Sequence, residues 1–287
     1  MDQRIFDLIC PDRQTTAVIF ASPHSGNEYP DDLMGRTILD SHAIRSSEDA
    51  FVHDLFAAAP QFGAPILSAR FPRAYLDLNR GRDELDPALI DGVRRRYHSP
   101  RIASGLGVVP RVVSNGRAIY RGKLTQAEAE SRIERCWVPY HRMLRDLMDK
   151  TSDRFGQAIL VDCHSMPHEA VDSLVRSEAS RPHVVIGDRF GASADTAIVQ
   201  RIEALFRAEG LTVARNSPFA GAYTVQHYGR PGRGHHAIQI EIDRSLYMNE
   251  AAILPHEGYE AFRALITRVI AGIADIARPT VNRMAAE

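Results

Sequence analysis

Ala158-Ile-Leu-Val-Asp-Cys-His-Ser165 is the stretch on which the fold turns. An uninterrupted apolar run of strand length gives way, within one residue, to Asp162, His164 and Ser165. A strand buried on both faces needs this near-continuous apolar character. The same pattern returns in Ala17–Ser22, His183–Ile186 and Ala237–Ile242, each rich in Val or Ile. Pro65–Ala69 and Ala74–Leu78 are weaker strand candidates. Helical signals lie between them. Thr125-Gln-Ala-Glu128 reads as a capping box, followed by Ile133, Trp137, Tyr140, Leu144 and Leu147 at helical spacing, with Pro139 expected to kink the pattern. Ala194–Glu209 repeats the logic and stops at Gly210, and Tyr259–Ile276 forms a further amphipathic stretch. Strands alternating with helices predict an α/β sheet covered on both faces.

Composition narrows the function. The 287 residues carry 35 Lys+Arg against 36 Asp+Glu, a net charge of −1, so no polybasic nucleic-acid surface is expected. An apolar fraction of 44% is enough for a substantial core. No apolar run approaches the length of a membrane span, and Met1–Gln14 lacks the apolar centre of a secretory signal. Cys10, Cys136 and Cys163 show no paired spacing, which fits a reducing cytoplasm. Residues 1–287 read as a single α/β domain with long loops at about 81–123 and 216–236, the first placed beside the site.

Several motifs fail. Gly105-Leu-Gly107-Val-Val-Pro110 has a proline where a dinucleotide loop needs its third glycine, and Gly116 to Lys123 has the wrong spacing for a phosphate loop. Cys163 and His164 are neighbours on a strand and point to opposite faces, so they form no catalytic pair.

What survives is a set of polar residues where apolar runs end: Ser22-Pro-His24-Ser25, Asp162-Cys-His164-Ser165, and Glu241 with Asp243-Arg244. In open α/β sheets, ligands bind outside the carboxyl ends of the strands. Two histidines delivered there could share one Zn²⁺ or another divalent metal, with a third protein ligand and an open position for water. Glu48, in Arg45-Ser-Ser-Glu48-Asp49, is the expected third ligand, and Asp49 is its rival. Glu241 within Ile238-Gln-Ile-Glu-Ile-Asp243 reads either as the outer face of an alternating strand or as a paired, functional carboxylate. Asp77-Leu-Asn79-Arg80 reads either as a carboxylate clamp, with Arg80 presenting a planar fork, or as a surface turn.

Together these segments resemble the N-formylglutamate amidohydrolase family. The matching pieces are SPHSGNEYP (22–30), RSSEDAFVHDLF (45–56), YLDLNR (75–80), VPYHRML (138–144), VDCHSMP (161–167), GDRFG (187–191), YGRP (228–231) and IQIEIDRSLYM (238–248), in family order. The family is distantly similar to zinc carboxypeptidases and aspartoacylases. The resemblance implies a mixed central sheet with helices on both faces, phosphorylase/hydrolase-like. It also implies zinc-dependent cleavage of N-formyl-L-glutamate to formate and L-glutamate, a step in histidine breakdown. By the same resemblance His24 and His164 hold the metal and Glu241 is the catalytic carboxylate. The resemblance also has Asn79 and Arg80 clamp a substrate carboxylate. A substrate with two carboxylates makes Arg230 and Arg244 further substrate-binding candidates, each read equally as a structural ion-pair partner, and Arg73 or Arg80 is the expected second donor to the oxyanion. Zinc carboxypeptidases take an acidic ligand three residues after the first histidine; that position is Asn27 here, and Glu48 matches the formylglutamate family's acidic position. The competing expectations are a related amidohydrolase or carboxypeptidase acting on another N-acyl amino acid or a peptide, and a non-enzymatic metal- or carboxylate-binding module.

Overall fold

The computed structural model describes residues 4–94, 100–175, 177 and 181–278; Ser99 and the rest of 95–99, within the first long loop, lie outside the described residues. The strands of its main sheet are β1 (Phe6–Ile9), β2 (Val18–Ser22), β3 (Ile66–Ala69), β4 (Ala158–Met166), β5 (Val184–Gly187), β6 (Val213–Arg215) and β7 (His235–Asp243). They form one mixed sheet in the order β1-β3-β2-β4-β7-β5-β6. The central strands β3, β2, β4 and β7 are mutually parallel, β1 is antiparallel at one edge, and β5 runs antiparallel to β7. The expected mixed α/β architecture is therefore present. The helices are α1 (Asp31–Met34), α2 (Val52–Leu55), α3 (Pro100–Ala103), α4 (Gln126–Arg132), α5 (Val138–Phe155), α6 (Thr196–Ala208), α7 (Tyr223–Tyr228) and α8 (Tyr259–Ile276).

Strand periodicity divides the interior into two cores. Phe20, Val161, Cys163, Ile238, Ile240 and Ile242 face α6 and α8. Ile19, Ala21, Leu160 and Ala237 face α5 and the long loop that follows β3. On this second face the apolar series stops, and β4 continues with Asp162 and His164 while β7 continues with Gln239 and Glu241. The alternation in 238–243 thus separates a core face from a polar, buried face rather than from solvent.

Three local expectations need correction. Ala74–Leu78 is a turn, not a strand: Tyr75 N–H bonds to Pro72 O at 2.9 Å, and the Asp77 carboxylate accepts Asn79 N–H at 2.8 Å. The glycine-rich 216–236 segment contains α7, whose six residues carry too short a pattern to announce a helix. Pro139 lies inside α5, and the irregularity falls just before it as a π-helical turn over Ile133–Trp137. A proline cannot donate the regular i to i−4 bond, and a wider turn absorbs the mismatch.

The end of that turn and the start of α5 bring two side chains to the backbone beside the site. Trp137 Nε1–H donates to Arg80 O at 2.9 Å, and His141 Nε2–H donates to Leu78 O at 2.9 Å. Tyr228 lies 2.9 Å from the other nitrogen of His141, and the ring packs on Trp137 with centroids 4.1 Å apart. Burial pushes the pKa of His141 down to about 3. Between there and the usual value near 6.5, the unfolded chain binds a proton that the folded chain refuses. Stability therefore falls as pH drops through that window, by up to about 1.4 kcal/mol per pH unit. Ring-nitrogen NMR at pH 5 is expected to show His141 as a neutral Nε2–H imidazole; an imidazolium signal would contradict this packing.

Candidate metal centre and active site

The parallel pairing of β4 with β7 sets His164 opposite Glu241 and Asp162 opposite Gln239. β4 runs on past its last pairing with β2, at Asp162, and β2 ends at Ser22. The chain then turns through Pro23 and His24. Gly26 is required in this turn because a Cβ would sit 2.2 Å from Phe71 O. His24 and His164, 140 positions apart, come to ring centroids 4.7 Å from each other.

Each imidazole is oriented from behind. His24 Nε2 donates to Asp77 Oδ1 at 2.8 Å, and His164 Nε2 lies 3.0 Å from Asp162 Oδ2. A carboxylate behind the ring fixes which nitrogen faces forward and raises its basicity. The forward Nδ1 atoms both approach Asp49 Oδ2, at 3.5 Å from His24 and 2.9 Å from His164. His24, Asp49 and His164 each offer one ligand atom, all within 4.8 Å of one another. His24 Nδ1 is buried and makes no hydrogen bond. An orphaned acceptor beside a second imidazole and a carboxylate fits a divalent cation, and this donor set suits zinc.

The electrostatics follow from burial and pairing. Burial favours a neutral Asp49, but the bonds from His164 and His24 outweigh it and hold the carboxyl well below the usual range. Burial likewise favours a neutral His164, and the facing Asp162 and Asp49 reverse this, raising its pKa. Asp77, buried, is held low by Arg73, Arg80 and His24. Glu241 differs: burial pushes its carboxyl up to about 8, and Asp49 adds to the shift against His164, Arg73 and Arg244. A carboxyl near neutrality can both take and return a proton. Gln239 Nε2 donates to its Oε1 at 2.7 Å and aims it.

Asp49 replaces Glu48 in the group. Glu48 Oε1 accepts from Tyr29 Oη at 2.6 Å and Arg45 Nε at 2.9 Å, and its Oε2 accepts from Arg45 Nη2 at 3.0 Å. The backbone at Glu48 is extended, so the two neighbouring side chains leave in opposite directions.

The arginines sort by their partners. Arg244 Nη2 donates to Asp49 Oδ1 and its Nε to Ser165 Oγ, both at 3.1 Å, so it braces the Asp49 carboxylate. Arg73 Nε donates to Asp77 Oδ2 at 3.0 Å, and its guanidinium lines the cavity. Arg80 also lines it, with Nε on Leu106 O at 2.9 Å and Nη1 on Asn79 O at 2.7 Å. Arg230 is elsewhere: it is exposed and bridges to His235, the first residue of β7, roughly six residues or ~20 Å of strand from Glu241. Asn79 faces inward. Its Nδ2 lies 3.3 Å from Gln239 Oε1 and 3.5 Å from Asp162 Oδ2, and its Oδ1 accepts Thr224 N–H at 2.8 Å. It ties β4, β7 and α7 together and has little left to offer a ligand.

Asp77, Asp162 and Gln239 received no role from sequence reasoning. A signal was there: Asp162 and Gln239 stand two residues before His164 and Glu241, hence on the same strand face. The cavity above these groups has a volume of about 690 Å³. Its far wall comes from the 81–123 loop, with Arg101, Leu106 and Val113, and from Pro218–Ala222. No described helix is long and apolar enough to cross a membrane.

The model of a known family, N-formylglutamate amidohydrolase, matches residues 16–248. The chain belongs to that family. It is a hydrolase, as the family's curated members are. An N-formylglutamate deformylase of Pseudomonas aeruginosa is 29% identical over 263 residues, covering 90% of this chain and 92% of that one. The Pseudomonas putida deformylase is 27% identical over 240 residues, covering 81% and 82%. A crystal structure of N-formylglutamate amidohydrolase from Ralstonia eutropha superposes with a TM-score of 0.90 at 34% identity, covering 96% and 99% of the two chains. The Agrobacterium tumefaciens gene product Atu2144 shares the fold at a TM-score of 0.65 and 17% identity.

The two carboxylates are separable by metal content. After loading and dialysis, Asp49→Asn, His24→Ala and His164→Ala are expected to lose stoichiometric divalent metal, and Glu48→Gln to retain it. The reverse order for Asp49 and Glu48, read by elemental analysis, would reject the ligand set.

Proposed function

We propose that the chain works as one hydrolytic unit that cleaves the formyl amide of N-formyl-L-glutamate, yielding formate and L-glutamate. One divalent cation, zinc by its donor set, would be held by His24, Asp49 and His164. The observation that carries this reading is the convergence of His24 Nδ1, Asp49 Oδ2 and His164 Nδ1 beside the buried Glu241, at the floor of a cavity rich in arginine. Family membership supports the same activity. The sparse, unpaired cysteines support a reducing, cytoplasmic setting.

When bound, the cation supplies Lewis acidity toward the attacking water and the amide carbonyl. The remaining work falls to side chains. Glu241 accepts one proton from water as the water oxygen bonds to the formyl carbon. Negative charge then grows on the carbonyl oxygen. Arg73, held through Nε by Asp77 and lining the cavity, has further N–H groups to meet it. The C–N bond breaks as Glu241 passes its proton to the departing nitrogen, since an amide nitrogen is too basic to leave as an anion. One water is consumed, and one carboxylic acid and one amine are formed. Arg80 offers its outer edge to a substrate carboxylate, while Arg244 keeps Asp49 in place.

Formate release from N-formyl-L-glutamate by the zinc-loaded protein tests the reading. Glu241→Gln is expected to keep fold and metal and to lose about 10²–10⁴-fold in kcat, the usual worth of a general acid–base group. Near-normal turnover by that variant would remove Glu241 from the role.

A further inference from the structure

The cavity holds more positive groups than the reacting centre uses. Arg244 is bound to Asp49 and Ser165, and Arg73 stands on Asp77 near Glu241. Two guanidiniums remain, Arg80 and Arg101. Arg80 is buried, at 5% exposure, and has both Nε and Nη1 on carbonyl oxygens. Its Nη2 is 3.9 Å from Asp77 Oδ2, beyond hydrogen-bond reach, and so keeps its donors for a ligand. One such edge satisfies one carboxylate.

Arg101 is the unclaimed cation. Among the described residues its side chain has no hydrogen bond or ion pair; it is exposed, lines the cavity and lies near enough to Arg80 for the two charges to repel. The backbone that carries it is fixed. Ile102 is buried beneath the loop, and Leu106 N–H returns to Arg101 O at 2.8 Å. The same Leu106 accepts Arg80 Nε at 2.9 Å through its own carbonyl. A single residue therefore links the two arginines and keeps like charges as neighbours. Arg111 fastens the loop from outside, with Nε on Asp86 Oδ2 at 2.9 Å. Two arginines lining one cleft, with Asp77 already shared among His24, Arg73 and Arg80, leave a positive field that a dianion neutralises. A guanidinium fork also matches carboxylate geometry better than an ammonium does.

We propose that Arg101 binds the distal side-chain carboxylate of the substrate, while Arg80 takes the other carboxylate, making the site selective for N-acylated acidic amino acids. This rests on the hydrolytic reading above and adds its specificity residue. Arg230 and Arg244, the sequence's candidates for this task, are respectively at the wrong end of β7 and engaged with Asp49.

The test compares N-formyl-L-glutamate with N-formyl-L-glutamine, which has nearly the same shape and one carboxylate fewer. In the zinc-loaded protein, Arg101→Gln is expected to lower kcat/KM for N-formyl-L-glutamate by about 10–100-fold, mainly through KM, as loss of a charge-assisted bond does. The N-formyl-L-glutamine value should fall far less, so that the preference between substrates drops at least about tenfold; Arg101→Lys should restore part of it. Equal losses on both substrates, or no loss on the dianion, would overturn the assignment. Calorimetric binding of glutarate to wild type and Arg101→Gln reads the same contact without turnover. Weaker binding by about tenfold supports it, and equal affinity rejects it. Should wild type hydrolyse neither formyl substrate, the proposed activity falls while this binding comparison still decides the role of Arg101.

Discussion

The site depends on the parallel register between β4 and β7. With Asp162 opposite Gln239 and His164 opposite Glu241, two polar pairs stack along one face of a sheet that is otherwise apolar. A shift of one residue in either strand would turn these groups into the α6–α8 core and bring isoleucines to the cavity. The long apolar series on the opposite face, Ile238, Ile240 and Ile242 with Val161 and Cys163, makes that shift costly. The core thus secures the geometry of the chemistry on the other side of the same strands.

Burying so many charges requires each to have a counterpart. Asp77 stands at the centre of this balance. One oxygen receives His24 and the Asn79 N–H, and the other receives Arg73. Asp162 does the same for His164, and Arg244 does it for Asp49. Asp49 and Asp77 are thereby kept ionised, and each imidazole is kept in one orientation. Glu241 stands apart, braced by the neutral amide of Gln239, and its carboxyl rises where those of Asp49 and Asp77 fall. This contrast in environment lets one carboxyl carry protons while its neighbours hold position.

The long loops are part of the site rather than connections around it. The turn at 72–80 carries Arg73, Asp77, Asn79 and Arg80, and Trp137 and His141 pin its carbonyls from the helical layer. The 81–123 loop buries Val108, Val109, Ile119 and Tyr120 in the second core and brings Arg101 to the far wall. The segment before α7 closes the remaining side, where Ala222 N–H bonds to Gln239 Oε1 at 3.1 Å. Apolar anchoring gives these irregular stretches defined positions despite their lack of regular structure.

The apolar runs, the capping box at Thr125 and the strand-end histidines were legible from local periodicity alone, because burial on both faces and helical amphipathicity write themselves into residue spacing. His24, His164, Glu241, Asn79 and Arg80 were therefore visible as candidates. Choosing Asp49 over Glu48 was not possible from order along the chain, since adjacent residues differ only in the direction each side chain leaves an extended backbone. The same limit hid the separate fates of the arginines. Arg244 found Asp49, Arg230 fell at the amino end of β7, and Arg101 reached the cavity through a loop packed from elsewhere. Local sequence determined the long buried strands, while the short β1 and β6 and the turn at 74–78 escaped it; three-dimensional packing alone decided which charges meet, because partners separated by many residues are chosen by proximity in space.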